Sequence, residues 1–168
     1  GVSEGPLKDT GAKAGVRGTF VRFMPDDRVF ETVEWNYDTI SKRLKELAFL
    51  NKGVRINFED ERVLYRTTAG EDGEEVKEKL PAREAVSYKY DGGLVDFVNY
   101  LNADKAKAYQ NPLYYSAVKD ITVKGFPTGK IKVEFAICHT KEETESLYSF
   151  VNNISTVEGG YHETGFRN

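Results

Sequence analysis

Cysteine is almost missing from this chain: Cys138 stands alone in 168 residues. One thiol closes no internal disulfide and is too few for a multi-thiolate metal site, so none is expected. A reducing compartment is the expected setting. Histidine is nearly as scarce. His139 and His162 lie apart in sequence and form no His-Glu-x-x-His zinc motif. No Cys-x-x-Cys, Gly-x-Ser-x-Gly or Walker phosphate loop occurs either. No apolar run approaches the roughly 20 residues that span a bilayer, so no membrane helix is expected. The opening stretch has neither the basic region nor the apolar run of a secretory leader. It starts on Gly1 rather than Met, so the chain is expected to begin downstream of its gene's start. A one-signed charge excess is also lacking. The formal net charge is -3, which excludes a basic footprint over the whole surface but leaves room for a local patch.

What is present suits a packed core. Hydrophobic residues make up 39% and charged residues 30%, with ten Phe and ten Tyr. That is the composition of a globular protein, not of a disordered one. The length fits one full-sized domain, or one domain and the remnant of another.

Periodicity assigns the elements. Residues 1–17 read as turn and loop, punctuated by glycines. Residues 18–23, GTFVRF, alternate as a strand and stop at Met24-Pro25-Asp26-Asp27. Tyr37 to Leu50 is the strongest helix. Asn36 or Asp38 can cap it, Ile40, Leu44 and Leu47 form its apolar face, and Gly53 provides the stop. A strand is expected at Val54–Phe58. Residues 59–83 carry charge of both signs and suggest a hairpin or extended loop, more a solvated insertion than a nucleic-acid arm. Ala85–Tyr90 is a strand, and Leu94, Phe97, Val98 and Leu101 mark a short amphipathic helix. Strands follow at Leu113–Val118, Lys130–Cys138 and Glu145–Val151, and Gly165-Phe166-Arg167 opens a helix. The order predicts an α+β fold, with helices packed on a mostly antiparallel sheet.

Few residues offer chemistry. Cys138 and His139 are neighbours on a strand and point to opposite faces, so Cys138 is expected in the core and His139 at the surface. The glycine clusters GAKAG and GVRGT fit neither a phosphate loop nor a dinucleotide fingerprint. The tail NNISTVEGGYHETGF is polar and dense. Two readings stand for it: a loop tied by Asn152 or Asn153 to backbone groups, and an inter-domain or ligand-facing loop.

Five segments, in order, carry a resemblance. They are GTFVRFMPD (18–26), KRLKELAFLNKGVRINFED (42–60), YDGGLVDFVNYLN (90–102), the strand Lys130–Cys138, and YSFVNNISTVEGGYHETGFR (148–167). Together they resemble the ATPase subunits of type IIA DNA topoisomerases, the family that holds the B-subunits of DNA gyrase and topoisomerase IV. The resemblance covers nearly the whole chain apart from the charged stretch around 68–83. Tyr161 departs from it, standing where relatives commonly have threonine.

The resemblance implies the C-terminal edge of a GHKL ATP-binding domain over residues 1–27. It implies a transducer domain of ribosomal protein S5 domain 2-like fold over 28–168, incomplete at its C-terminal end. The family's catalytic glutamate, magnesium-binding asparagine and adenine-binding aspartate precede the first matching segment, and its Gln-Thr-Lys loop follows the last. No catalytic or metal-binding residue is therefore expected here. By the same resemblance Gly18, Thr19 and Val21 edge the adenine pocket, with the Thr19 hydroxyl acting through an ordered water. Lys42, Arg43, Lys45, Lys52, Lys105 and Lys107 are candidate DNA-facing residues. ATP and Mg2+ are the cofactors implied for the intact protein. Its implied partners are DNA, a gyrase A-like cleavage subunit and a second copy of itself, in the cytoplasm. The fragment alone is expected to be inactive. A noncatalytic protein- or DNA-interaction α+β module is the alternative.

Overall fold

The computed structural model describes residues 5–6, 11, 15, 17–69, 75–122, 124–125 and 127–168. The chain divides into two compact units, Gly1–Trp35 and Asn36–Asn168.

In the first unit a turn follows Asp26. The backbone amides of Val29 and Phe30 both donate to the Asp26 carbonyl at 3.0 Å, and Arg28 closes on the Asp26 carboxylate at 2.8 Å. Phe23 and Phe30 meet Trp35 edge-on, with ring centroids 5.4 and 6.3 Å apart. The strand expected over 18–23 is not formed among the described residues. A strand exists by its ladder bonds, and no described segment pairs with this one. Phe20, Val21 and Met24 consequently stand exposed.

The second unit begins with α1, Tyr37–Leu50. The Asn36 side chain accepts from the Thr39 amide at 2.9 Å, satisfying a donor that the first turn cannot. At the other end the Asn51 amide side chain donates to the Leu47 carbonyl at 2.8 Å, and Gly53 takes φ +80°. The short strands β1, Ile56–Phe58, and β4, Val86–Tyr88, pair antiparallel. Between them rises the ribbon of β2, Tyr65–Ala69, and β3, Glu75–Lys79, the hairpin expected in the charged stretch.

Next comes α2, Leu94–Leu101. Gly93 precedes it at φ 61°, ψ -125°, a conformation that side chains strongly oppose. Asp96 caps the turn by accepting from the Gly92 amide at 2.7 Å. The long hairpin of β5, Leu113–Ile121, and β6, Gly129–Ile137, follows. Its register puts Tyr114, Ser116, Glu134 and Ala136 on one face and Leu113, Tyr115, Val133 and Phe135 on the other. The start of α2 lies by Tyr114 and Glu134, whereas Phe166 meets Phe135 at 5.4 Å on the opposite face.

A two-residue turn, Asn152–Asn153, joins β7, Phe150–Val151, to β8, Ile154–Ser155. Helix α3, Tyr161–Arg167, closes the chain. Three further expectations differ from what the structure holds. The strand expected over Glu145–Val151 is confined to its last two residues, because the tight turn pairs only two residues on each side. The last helix starts at Tyr161, not Gly165, because the Gly160 carbonyl already accepts the amides of Glu163 and Thr164 at 3.0 and 3.1 Å. The antiparallel pairing falls into four two-stranded ladders rather than one sheet among the described residues. The α+β class itself holds.

The core sits where α1 crosses α2. Phe49 is 2% exposed, and Ala48 and Phe97 are also buried. The Phe49 ring stacks on Tyr90, 3.6 Å between centroids, and also meets Phe97 and Tyr100 at 5.1 and 5.4 Å. Burial pushes the Tyr90 phenol upward.

Candidate functional site

Two features of the second unit could serve a function: a cleft between α1 and α2, and the hairpin β7–β8 leading into α3. The cleft encloses about 350 Å³ and is lined by Ser41, Lys45, Phe49, Tyr88, Phe97 and Tyr148, among others. Ser41 and Tyr88 share a hydrogen bond of 2.5 Å across it. The Lys45 ammonium lies 3.9 Å from the Tyr100 ring centre, attracted by the negative face of the ring. Beside the DGG loop, a hydrogen bond from Tyr114 (2.7 Å) and the Lys132 ammonium hold the Glu134 carboxyl below the usual range. That bond also pushes the Tyr114 phenol up.

The hairpin is pinned at both ends. At its tip, Asn152 and Asn153 take φ 49° and 67°, the left-handed pair that a two-residue hairpin turn requires and asparagine tolerates. The Arg43 guanidinium donates to the Asn153 carbonyl at 2.6 Å, and the Asn153 side chain donates to the Asn51 side-chain oxygen at 3.1 Å. At its base, the Thr156 amide donates to the Ser149 carbonyl at 2.9 Å. The two hydroxyls lie 2.5 Å apart, and Ser149 also donates to the Glu163 carboxylate at 3.3 Å. His162 Nε2 is 3.1 Å from the Thr156 hydroxyl. A hydroxyl–imidazole–carboxylate chain thus bridges across the EGG turn and fixes α3 to the hairpin. Sequence reasoning directs Asn152 or Asn153 toward backbone groups. In the structure the Asn153 side chain reaches another asparagine instead. The spacing of Arg43, Leu47 and Asn51, four residues apart on one helix face, is the signal that could locate its dock.

The six basic residues named from sequence are placed differently from one another. Arg43 is shared between Glu46 and Asn153, and Lys45 sits over Tyr100. Lys105 pairs with Glu142 at 2.9 Å, and Lys107 donates to Asn99 at 2.9 Å. Lys42 and Lys52 are exposed. Cys138 is half-buried with its thiol toward the His139 carbonyl. The His139 ring instead bonds the Tyr109 hydroxyl at 2.7 Å.

Gly18, Thr19 and Val21 lie exposed in the unpaired segment of the first unit. They bring one hydroxyl and one small apolar surface. Among the described residues no three His, Cys, Asp or Glu side chains are placed to share a metal ion. No helix of the described residues is long and apolar enough to cross a membrane.

The order of elements, with helices α1 and α2 over antiparallel ladders and a tight asparagine hairpin leading into α3, defines a mixed α+β body of the transducer type. Comparison with known proteins agrees. The family described as DNA gyrase B matches residues 93–168. The DNA gyrase B-subunit of Streptomyces coelicolor is 43% identical over 152 residues, covering 89% of this chain and 21% of the relative. The corresponding protein of Cytophaga hutchinsonii is 36% identical over 167 residues, 99% of this chain and 30% of the relative. That of Staphylococcus aureus is 38% identical over 168 residues, 99% of this chain and 22% of the relative. The crystal structure of the B-subunit of the DNA gyrase from Myxococcus xanthus shares the fold. Its TM-score is 0.60 at 23% identity, over 92% of this chain and 39% of that one. The chain belongs to the family of the DNA gyrase and topoisomerase IV B-subunits. It spans between 21% and 30% of the length of these curated relatives.

Proposed function

We propose that this chain is the relay segment of an ATP-dependent type II DNA topoisomerase. In this reading it carries the state of a nucleotide site into DNA strand passage. The observation that carries the proposal is the similarity to DNA gyrase B, 36% and 38% identical in two relatives that each align with 99% of the chain. The two-unit division supports the same reading. Residues 1–27 would be the edge of the ATP-binding domain and 28–168 the transducer, whose first helix, α1, opens the second unit. The intact protein would bind ATP and Mg2+, pair with a second copy and a cleavage subunit, and act on DNA in the cytoplasm. Gly18, Thr19 and Val21 would border the adenine, while the phosphates are neutralised outside this chain.

Relay needs an element with two arrangements whose balance the nucleotide shifts. A helix pair locked by aromatic stacking is suited to move as one piece. Calorimetric titration of this chain with a nonhydrolysable ATP analogue and Mg2+ tests the assignment. No saturable binding up to about 1 mM is expected, a weak-affinity regime near 4 kcal/mol. Saturable binding at one site per chain would refute it. The full-length protein with its cleavage subunit is expected to pass DNA strands only when ATP is supplied.

A further inference from the structure

We propose that Arg43, Asn51 and Asn153 form a clasp that carries movement of α1 into the β7–β8 hairpin and α3. The inference rests on the relay reading above and identifies where, within this chain, the relay is made. The three are positioning residues. None of them is assigned to the reacting atoms.

Four observations support the clasp. First, it is long-range: Arg43 reaches the Asn153 carbonyl and Asn51 reaches the Asn153 side chain across more than a hundred residues of sequence. Second, the dock is prepared. Glu46 holds the Arg43 guanidinium, and the Leu47 carbonyl holds the Asn51 amide group. The Asn51 amide is therefore oriented with its oxygen free to accept. Third, the hairpin needs an anchor. Each of its strands is two residues long, and an isolated hairpin is marginal in water. Besides its base, its visible supports are the clasp and Phe150 against Phe97 at 6.2 Å. Fourth, the far end continues. Ser149 and Thr156 at the base bond Glu163 and His162 of α3. A continuous set of hydrogen bonds therefore runs from the last two turns of α1, through the hairpin, to α3.

The asparagine turn explains the choice of residue. Glycine would supply the positive φ at position 153 as readily. Only asparagine supplies the same backbone and a donor for Asn51. Charged Arg43 then holds the carbonyl that the turn directs outward, a charge-assisted bond.

The test uses the full-length protein assembled with its cleavage subunit, comparing the parent with Asn153→Gly, Asn51→Ala and the double variant. Neither substitution alters charge, so DNA electrostatics stay constant. Two quantities are read: ATP hydrolysed per unit time, and strand passages per ATP. The expected result is hydrolysis within about twofold of the parent, with passages per ATP down about fivefold, a typical size for residues that modulate coupling. The double variant should lose no more than the worse single one, because both singles break the same bond. Amide exchange at residues 150–156 should quicken in each. Unchanged passages per ATP would overturn the clasp. So would hydrolysis and passage falling in parallel with the melting temperature, since that is the behaviour of a merely structural contact. A parent that passes no strands with ATP would instead overturn the relay reading.

Discussion

Phe49→Ala should be the most damaging single truncation in the second unit. Phe49 is 2% exposed and touches three other rings, Tyr90, Phe97 and Tyr100. Removing a fully buried phenyl forfeits roughly 1.5–3 kcal/mol of transfer free energy. Each well-placed ring pair adds about 0.5–1.5 kcal/mol beyond area, and the stack on Tyr90 is the closest of the three. The void left between α1 and α2 adds a cavity term. A loss near 4 kcal/mol follows, within the range of about 3–5 kcal/mol for such truncations. Against a total stability of about 5–15 kcal/mol, that is a large share. Urea and thermal unfolding followed by circular dichroism would measure it. A fall in melting temperature of roughly 10 °C is expected for a domain this size. Phe20→Ala is the internal control. Phe20 is 87% exposed, and its truncation should stay within about 0.5 kcal/mol. A Phe49→Ala loss below about 1 kcal/mol, or equal losses for the two variants, would refute the placing of the core at the α1–α2 crossing.

Further outcomes follow from local geometry. Gly93→Ala should cost about 1–3 kcal/mol, because the new Cβ enters a glycine-only backbone conformation and lies 3.4 Å from the Lys52 Cβ; chemical denaturation of the chain reads it. Asp60 accepts two bonds from the Arg62 guanidinium at 2.7 Å, which hold its carboxyl below its ordinary value. A depressed carboxylate contributes stability that is present above the unfolded pKa and lost as pH falls through the folded one. The pair's contribution, about 1 kcal/mol after discounting for solvent around Arg62, should therefore fade only below about pH 4. Asp60→Asn should remove that part of the acid dependence in a melting-temperature series. If Lys42 and Lys52 face DNA, replacing either by Ala should weaken duplex binding for all sequences alike and flatten the slope of log K against log salt by about 0.9. An unchanged slope would remove that residue from the DNA-facing set.

Much of the second unit is legible in the sequence because its signals are local. Helix α1 has a capping asparagine, a 3.6-residue apolar period and a stop glycine, and all three appear where the periodicity places them. The same holds for α2 and for the alternating strands β5 and β6. What sequence reasoning misses depends on partners. The segment 18–23 alternates like a strand, but alternation describes one side of a ladder and says nothing of the other. The Glu145–Val151 segment is apolar enough for a strand, yet a tight asparagine turn limits it to Phe150–Val151. The site is legible as a conspicuous polar tail, not as a contact. That Asn153 would meet Asn51 depends on tertiary distance, which no periodicity encodes. The basic residues show the same limit. Composition supplies six cations, while geometry finds four of them occupied by Glu46, Tyr100, Glu142 or Asn99.

The pairing of β1 with β4 has an evolutionary consequence. These two strands close the chain beneath the β2–β3 ribbon, so the ribbon hangs from a fixed neck at Phe58 and Val86. Lengthening what hangs there changes only the entropy of closing the neck, and that grows as a logarithm: doubling the loop costs about 0.6 kcal/mol. This is the place where a lineage can add or delete residues with the core left untouched.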